Sequence, residues 1–378
     1  MSGSAIPPSD VDTLVVGGGV VGMSLAYGLV EAGERVLLLD EGDDAYRAAR
    51  GNFGLVWVQG KGLGCPAYAR WTMQSAALWP GFAAELRERT GIDVELSQIG
   101  GLTMCLHEDE MAERAAQLTR LRDDLAQPYP FQMWDGVAVR RLIPQTGPDV
   151  VGAVWCPLDG HVSPLRLLRA LVQAYESLGG RLLAGARVEA ITPRGDGGFE
   201  LRTAAGNLAA AKVVLAAGLG NRTLAPQVGL AAPVAPNRGQ VLVTERVQPF
   251  LRHPTLYVRQ TGEGVLQIGD SKEDVGFDDG TTLAQLSRIA ARAVRCFPLL
   301  ERMNLVRTWG ALRVMSPDGL PIYQASTRHP GAFVVTCHSG ITLAPQHAGA
   351  LAGWILGGPE PQPLQHFKAE RFDGVATH

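Results

Sequence analysis

The stretch VDTLVVGGGVVGMSLAYGLVEAGERVLLLDEG, residues 11–42, constrains the fold more than any other part of the chain. Its apolar content approaches that of a membrane span. Gly17, Gly18 and Gly19 interrupt it, however, acidic residues flank it, and no Lys or Arg precedes it as a signal peptide requires. It parses better as a buried strand Thr13–Val16, a Gly17-x-Gly19-x-x-Gly22 turn, a helix to about Glu31, and a second strand ending at Asp40. Gly17 permits the tight turn, Gly19 lets a pyrophosphate approach the backbone, and Gly22 lets the helix lie close on the sheet. The helix start, with Val20 and Val21, offers free N–H donors and the positive end of a dipole. Asp40, followed by Glu41, is placed to accept hydrogen bonds from ribose hydroxyls, and an acid there repels a 2′-phosphate. An ordinary strand–helix turn needs no such spaced acid. These residues point to a dinucleotide and leave FAD and NAD both open.

At 378 residues the chain is long enough for two domains. A composition of 46% hydrophobic residues with net charge −3 is that of a soluble globular enzyme, and the absence of a basic patch argues against nucleic-acid binding. The five cysteines form no CxxC, which argues against a zinc or iron–sulfur site and leaves no metal expected. Their odd count, with no signal peptide, fits a reducing cytoplasm. Residues 1–10 read as a flexible tail.

Helical periodicity covers 70–91 and 108–126. A further helix starts at Pro164, with Ser163 able to cap it and Gly179-Gly180 ending it. Strand-rich text follows from RLLAGARVEAI through FELRTA to AKVVLAAGLG, then from about Pro233 to Trp309 with one helix and a hairpin turning at Thr261 to Gly264. The strand GAFVVTCH then runs into a helix opened by Ser339 and Gly340, a second set of N-terminal amides. The pattern predicts an α/β chain of two domains. A Rossmann-like nucleotide domain is built from 11–90, 152–228 and 314–378, and a mixed β-sheet substrate domain from 91–151 and 229–313 is inserted into it.

The early GxGxxG, the late CHSGITLAP and WGALRVMSPDGLPIY between them resemble the D-amino-acid oxidase (DAO) family of FAD-dependent amine oxidoreductases, over nearly the whole chain. Within it, RGNFGLVWVQGKG, DGHVSPLRLLRAL, NRGQVLVTE and IGDSKEDVGFDDGTT look most like the beta subunits of opine oxidases and of D-hydroxyproline dehydrogenases. The resemblance implies a non-covalent FAD in a domain of the glutathione-reductase type. Its adenine half lies at Gly17, Gly19, Gly22 and Asp40, with a backbone contact near Val188. The flavin ring lies against Arg50, Asn52, Phe53 and Gly54, where the family usually reads Ser-x-x-Asn-x-Gly. Ala48 or Ala49 stands in place of that serine, which puts a side-chain phosphate contact in doubt. Ala217 and Gly218, Trp309 and Arg313, then His338, Ser339, Gly340, Ile341 and Thr342 close over the cofactor.

The same resemblance implies oxidation of a small amino- or imino-acid substrate, a proline-like or opine-type secondary amine, by hydride transfer to flavin N5. A substrate carboxylate asks for a planar, always-charged partner, and Arg313 matches the family's carboxylate-binding arginine. Tyr257 corresponds to a tyrosine that assists it, and His338 is the third candidate catalytic residue. Arg238 and Gln240 either gate the flavin or brace the interdomain strand, His161 orders a loop, and Trp57, Trp71 and Trp79 supply core or interface mass. Gln267 and Ile268 occupy the positions where oxygen-reactive relatives carry a lysine, so the chain reads as a dehydrogenase subunit, with Lys61 and Lys272 left as lysines that could approach the ring from elsewhere. The resemblance implies an alpha subunit and a small iron–sulfur gamma subunit as its partners. A stand-alone peroxide-forming glycine or D-amino-acid oxidase and a non-catalytic flavin-binding assembly subunit are the alternatives.

Overall fold

Six strands form the sheet that carries the N-terminal turn, in the order Ile322–Ala325, Ala332–Thr336, Lys212–Leu215, Thr13–Val16, Val36–Asp40, Arg181–Ala184. Neighbours run parallel except Ile322–Ala325, which is antiparallel to Ala332–Thr336. The computed structural model describes residues 11–42 and 48–374, so the expected tail at 1–10 lies outside the described residues. The central strands read as unbroken apolar runs because both faces are covered. Val15, Leu38, Val214 and Val335 enter one core with the helices Val20–Glu31, Pro66–Thr90 and Pro164–Ser177. Leu14, Leu37, Leu39, Val213 and Leu215 enter a second core beneath the antiparallel meander Val188–Pro193, Phe199–Thr203, Gly206–Ala210.

The expected elements of the nucleotide unit lie at the positions read from the pattern, and the helix expected over 70–91 begins earlier, at Pro66. Proline at the first turn supplies a fixed φ and loses no needed N–H, whereas the preceding Cys65 offers no side-chain cap. Ser163 caps the Pro164 helix by accepting the Arg166 N–H. Among the described residues, no helix is long and apolar enough to cross a membrane.

The second body is an antiparallel sheet in the order Val258–Gln260, Val265–Ile268, Ala235–Arg246, Leu305–Met315, packed against the helix Leu283–Cys296. A parallel bridge from Leu102 to Thr255 joins it to a sheet of Gly101–Cys105, Gly152–Cys156 and Gln132–Asp135. The expected hairpin turn is present, with the Gly264 N–H donating to the Thr261 carbonyl at 2.9 Å. Two expected boundaries cut through pairing. Gly152–Cys156 pairs with Gly101–Cys105 and Gln132–Asp135, although the pattern assigns 152 to the nucleotide domain, and the strand Leu305–Met315 runs past the boundary drawn after 313.

The late helix Gly340–Gln346 widens into a π-helical turn at His347–Leu351 and continues as Ala352–Ile355. His347 is fully buried there, with Nε2 2.9 Å from the Tyr323 hydroxyl, and burial pushes its pKa down to about 3. Between its folded and unfolded pKa values only the unfolded chain takes up this proton, so its contribution to stability is complete above about pH 6.5 and lost as pH falls. Compared with a His347→Phe variant, the protein is expected to lose about 1.4 kcal/mol of unfolding free energy per pH unit below that point. Urea titrations at pH values from 7 downward read this difference in slope.

Candidate functional site

The N-terminal turn is shaped by steric demands that only glycine meets. Gly17 holds φ +109°, and a Cβ there would collide with the Ala216 carbonyl. A Cβ at Gly22 would collide with the Gly17 carbonyl, so the helix lies directly on the turn. A Cβ at Gly19 would meet nothing within 4 Å. Open space therefore stands before a helix N-terminus that no side chain caps, which is the cradle a dinucleotide pyrophosphate requires. Asp40 anchors the next strand to this turn, with Oδ2 accepting the Gly18 N–H at 2.6 Å and Oδ1 the Gly42 N–H at 2.9 Å. Glu41 faces Arg187 at 3.8 Å, and the meander starts beside it at the buried Val188. Across the sheet, Asn221 shapes the Ala217–Gly218 turn by accepting the Ala217 N–H and donating to the Leu215 carbonyl. Gly340 then abuts the first helix, since a Cβ there would lie 3.1 Å from Val21 Cγ2. The early and late helix starts thus meet at one place.

From that junction a cavity of about 410 Å³ extends toward the second sheet. Asn52, Phe53, His338, Ser339, Ile341 and Thr342 line it together with Gly239, Tyr257, Asp270, Lys272 and Arg313, and with Gln59 and Lys61. The Asn52 side chain closes its own turn by accepting the Gly54 N–H at 2.7 Å, and Gly54 takes φ +90°. Trp309 clamps this turn by donating its indole N–H to the Gly51 carbonyl at 3.0 Å. Ser75 Oγ and the Trp79 indole both donate to the Thr342 carbonyl, fixing the late loop.

Arg313 Nη1 donates to Asn237 Oδ1 at 3.2 Å and to the Ser271 carbonyl at 2.8 Å, and Nη2 pairs with Asp270. The guanidinium lies over Gly239, where any Cβ would strike it. The Tyr257 ring is backed by the Arg292 guanidinium, 4.8 Å from its centroid, which is in turn paired with Glu110. Ser339 Oγ accepts from Lys61 Nζ at 2.6 Å and from the Tyr68 hydroxyl at 2.9 Å. Burial, reinforced by Lys272 and Arg313, pushes the Lys61 pKa down to about 8. Burial and the same cationic surroundings, Lys61 included, hold His338 well below the usual histidine range, so its imidazole is neutral. A neutral ring with so low a pKa suits hydrogen bonding to a bound group better than proton abstraction.

Several side chains sit elsewhere than the sequence suggested. Gln267 and Ile268 are absent from the cavity wall, whereas Lys61 and Lys272 are on it. The missing lysine at 267–268 is therefore no sign of a lysine-free cavity, and that argument for a dehydrogenase falls. Trp71 and Trp79 are core mass as expected, Trp79 also donating to the Thr342 carbonyl, and the buried Trp57 lies on the cavity wall. Arg238 and Gln240 brace the segment that carries Asp270 and Lys272: Arg238 bridges Glu273 at 2.9 Å and Asp278 at 2.6 Å, and Gln240 bonds Glu273 and Thr282. His161 is buried against Arg259, away from the cavity wall. Reading the sequence alone missed Asp159, whose carboxylate accepts the Val58 N–H at 2.5 Å and the Gln59 amide at 2.7 Å and so holds the loop bearing Lys61. Burial pushes the Asp159 pKa up to about 7. Its signal was an acid inside the loop CPLDGHVSP, which turn propensity alone explains equally well. Among the described residues, no group of three His, Cys, Asp or Glu side chains is placed to hold a metal ion.

Residues 12–354 match the family described as DAO, FAD dependent oxidoreductase. An opine oxidase subunit of Agrobacterium tumefaciens (strain Ach5) is 42% identical over 96% of this chain and 98% of that protein. Its namesake from Rhizobium meliloti is 41% identical over 96% and 98%. The fold superimposes on the crystal structure of glycine oxidase from Geobacillus kaustophilus with a TM-score of 0.87 at 28% identity, covering 94% of this chain and 97% of that one.

Proposed function

Because this chain belongs to the DAO family of FAD-dependent oxidoreductases, which act on carbon–nitrogen bonds, we propose that its substrate is a secondary amine flanked by two carboxylates, an N-carboxyalkyl amino acid of the opine type. The observation carrying this is the charge of the cavity wall: Lys61, Arg114, Lys272 and Arg313 against the carboxylate of Asp270. One substrate carboxylate engages Arg313, whose fork is already oriented by Asn237 and Ser271. A proline-like acid leaves the remaining cations unmatched, whereas a second carboxylate meets Lys61 or Lys272. The turn Gly17–Gly22, Asp40, the Asn52–Gly54 turn and the loop His338–Thr342 are the residues that hold FAD, which when bound supplies the two-electron acceptor. Trp309 acts on the cofactor through Gly51.

Electrons leave, in this reading, to partner subunits, an alpha subunit and an iron–sulfur gamma subunit. The support is that the two opine oxidase relatives are named as subunits of a larger enzyme. Anaerobic bleaching of the bound flavin by nopaline, octopine, cis-4-hydroxy-D-proline, proline, sarcosine and glycine tests the substrate. Fast bleaching by the opines and slow bleaching by the others is expected; preference for a monocarboxylate overturns it. Rapid peroxide formation by the isolated chain in air overturns the electron route, which expects faster turnover with dye than with oxygen.

Lys61 makes a further prediction about pH. It is cationic below its pKa of about 8 and neutral above it, so affinity for a two-carboxylate ligand is expected to fall as pH rises through that value. Lys61→Met is expected to weaken that ligand about tenfold at neutral pH, or about 1.4 kcal/mol, and to flatten the profile. Flavin difference spectra with an amine-free dicarboxylate read both.

A further inference from the structure

The contact between Asp270 and Arg313 places a carboxylate on the edge of the guanidinium where a substrate carboxylate must dock. Arg313 Nη1 is committed to Asn237 and Ser271, Nη2 is paired with Asp270, and Arg313 and Asp270 both line the cavity. A carboxylate arriving there displaces Asp270 from its partner. In any α-amino acid the amine nitrogen lies two bonds from the carboxyl carbon, so the displaced group has the incoming ammonium within reach.

We propose that Asp270 is the amine-side anchor and the proton acceptor of the reaction: the protein's internal ion pair is exchanged for two pairs with the substrate, carboxylate on Arg313 and ammonium on Asp270. This rests on the amine-oxidising reading above. The step moves one proton. The substrate N–H bond breaks, an O–H bond forms on an Asp270 oxygen, and the nitrogen keeps the electron pair it needs before its neighbouring C–H can lose hydride. No electrons change hands in it.

The surroundings favour Asp270 over the other titratable groups. Burial raises its pKa above the usual carboxylate range despite the opposing charges of Arg313 and Lys272, so a proton on it is tolerated. Lys61 and Arg114 also line the cavity, and Lys61, with its pKa at about 8, is mostly protonated at neutral pH. Lys61 donates to Ser339, and the neighbouring His338 is held well below the usual histidine range. Asp159 holds Val58 and Gln59 and does not line the cavity. The segment carrying Asp270 is fixed by the Arg238–Glu273–Gln240 network, with Gln240 N–H donating to Ser271 Oγ at 2.9 Å.

The test uses the FAD-loaded Asp270→Asn variant. Thiodiacetate, a dicarboxylate with sulfur in place of the amine, is expected to perturb the flavin spectrum with affinity equal to or higher than in the wild type, because Arg313 has lost its competitor. Anaerobic bleaching by octopine near neutral pH is expected to slow at least about 100-fold, and to recover about tenfold per pH unit as free amine accumulates. Wild-type bleaching with an unchanged pH profile overturns the proposal. So does a parallel loss of thiodiacetate binding, which would make Asp270 a prop for Arg313. If the variant does not take up FAD, proton uptake by the wild type decides: thiodiacetate displaces Asp270 and is expected to bring a proton onto it, and no uptake overturns the idea. A wild type bleached by no amine is a different failure, that of the parent reading.

Discussion

Arg313→Met is expected to weaken a two-carboxylate ligand by about 2–5 kcal/mol, from about thirtyfold to several thousandfold, while the flavin stays bound. The size follows from the setting. The guanidinium is inside the cavity, flat over Gly239 and held by Asn237 and Ser271, so its orientation is fixed before a ligand arrives. Removal takes away a charge-assisted pair and leaves the buried Asp270 without the larger of the two charges that oppose the rise of its pKa. Arg313→Lys is expected to restore little, since an ammonium cannot reproduce the planar fork. FAD retention is expected because the nucleotide turn does not touch Arg313. Titration of the flavin spectrum with thiodiacetate measures the loss; unchanged affinity in a yellow variant would remove Arg313 from the site.

Gly19→Val is expected to leave the fold intact and lower FAD affinity by at least about 100-fold, or about 2.7 kcal/mol. Gly19 has φ −73° and ψ 177°, a conformation open to any residue, and its Cβ would point into empty space. The new Cβ displaces nothing in the protein, and the branched side chain fills the space a phosphate group needs. Gly22→Val, by contrast, drives a Cβ into the Gly17 carbonyl and is expected to prevent stable folding altogether. The two variants separate the cofactor's need for space from the fold's. Equal FAD affinity in Gly19→Val, read by fluorescence quenching of added FAD, would move the pyrophosphate elsewhere.

The nucleotide unit was legible in the sequence because its information is local. Gly22 answers to Gly17, and Asp40 to Gly18 and Gly42, all within one strand–helix–strand unit, while Gly17 answers to the distant Ala216 as well. The cavity wall was legible only in part. Lys61 and Lys272 come to it from loops, and Asp270 becomes meaningful only once the strand Leu305–Met315 brings Arg313 beside it. Lys61 did carry a faint signal, a cation between Gly60 and Gly62, both left-handed at φ 73° and 83° in a tight turn. Such a turn costs entropy, and it presents the lysine to the cavity. Arg238 and Gln240 were ambiguous for the opposite reason: their acceptors Glu273, Asp278 and Thr282 lie far along the chain, and no period in the sequence announces that pairing. The boundary errors at 152 and 313 have the same origin, since strand partners are tertiary facts.

The most direct measurement is anaerobic mixing of the FAD-loaded wild-type chain, without added subunits, with an excess of octopine or nopaline. Complete loss of the yellow absorbance, at a rate that saturates with substrate, is the expected result. A flavin that dithionite bleaches but neither opine does would contradict a cation-lined cavity built to oxidise a dicarboxylic secondary amine.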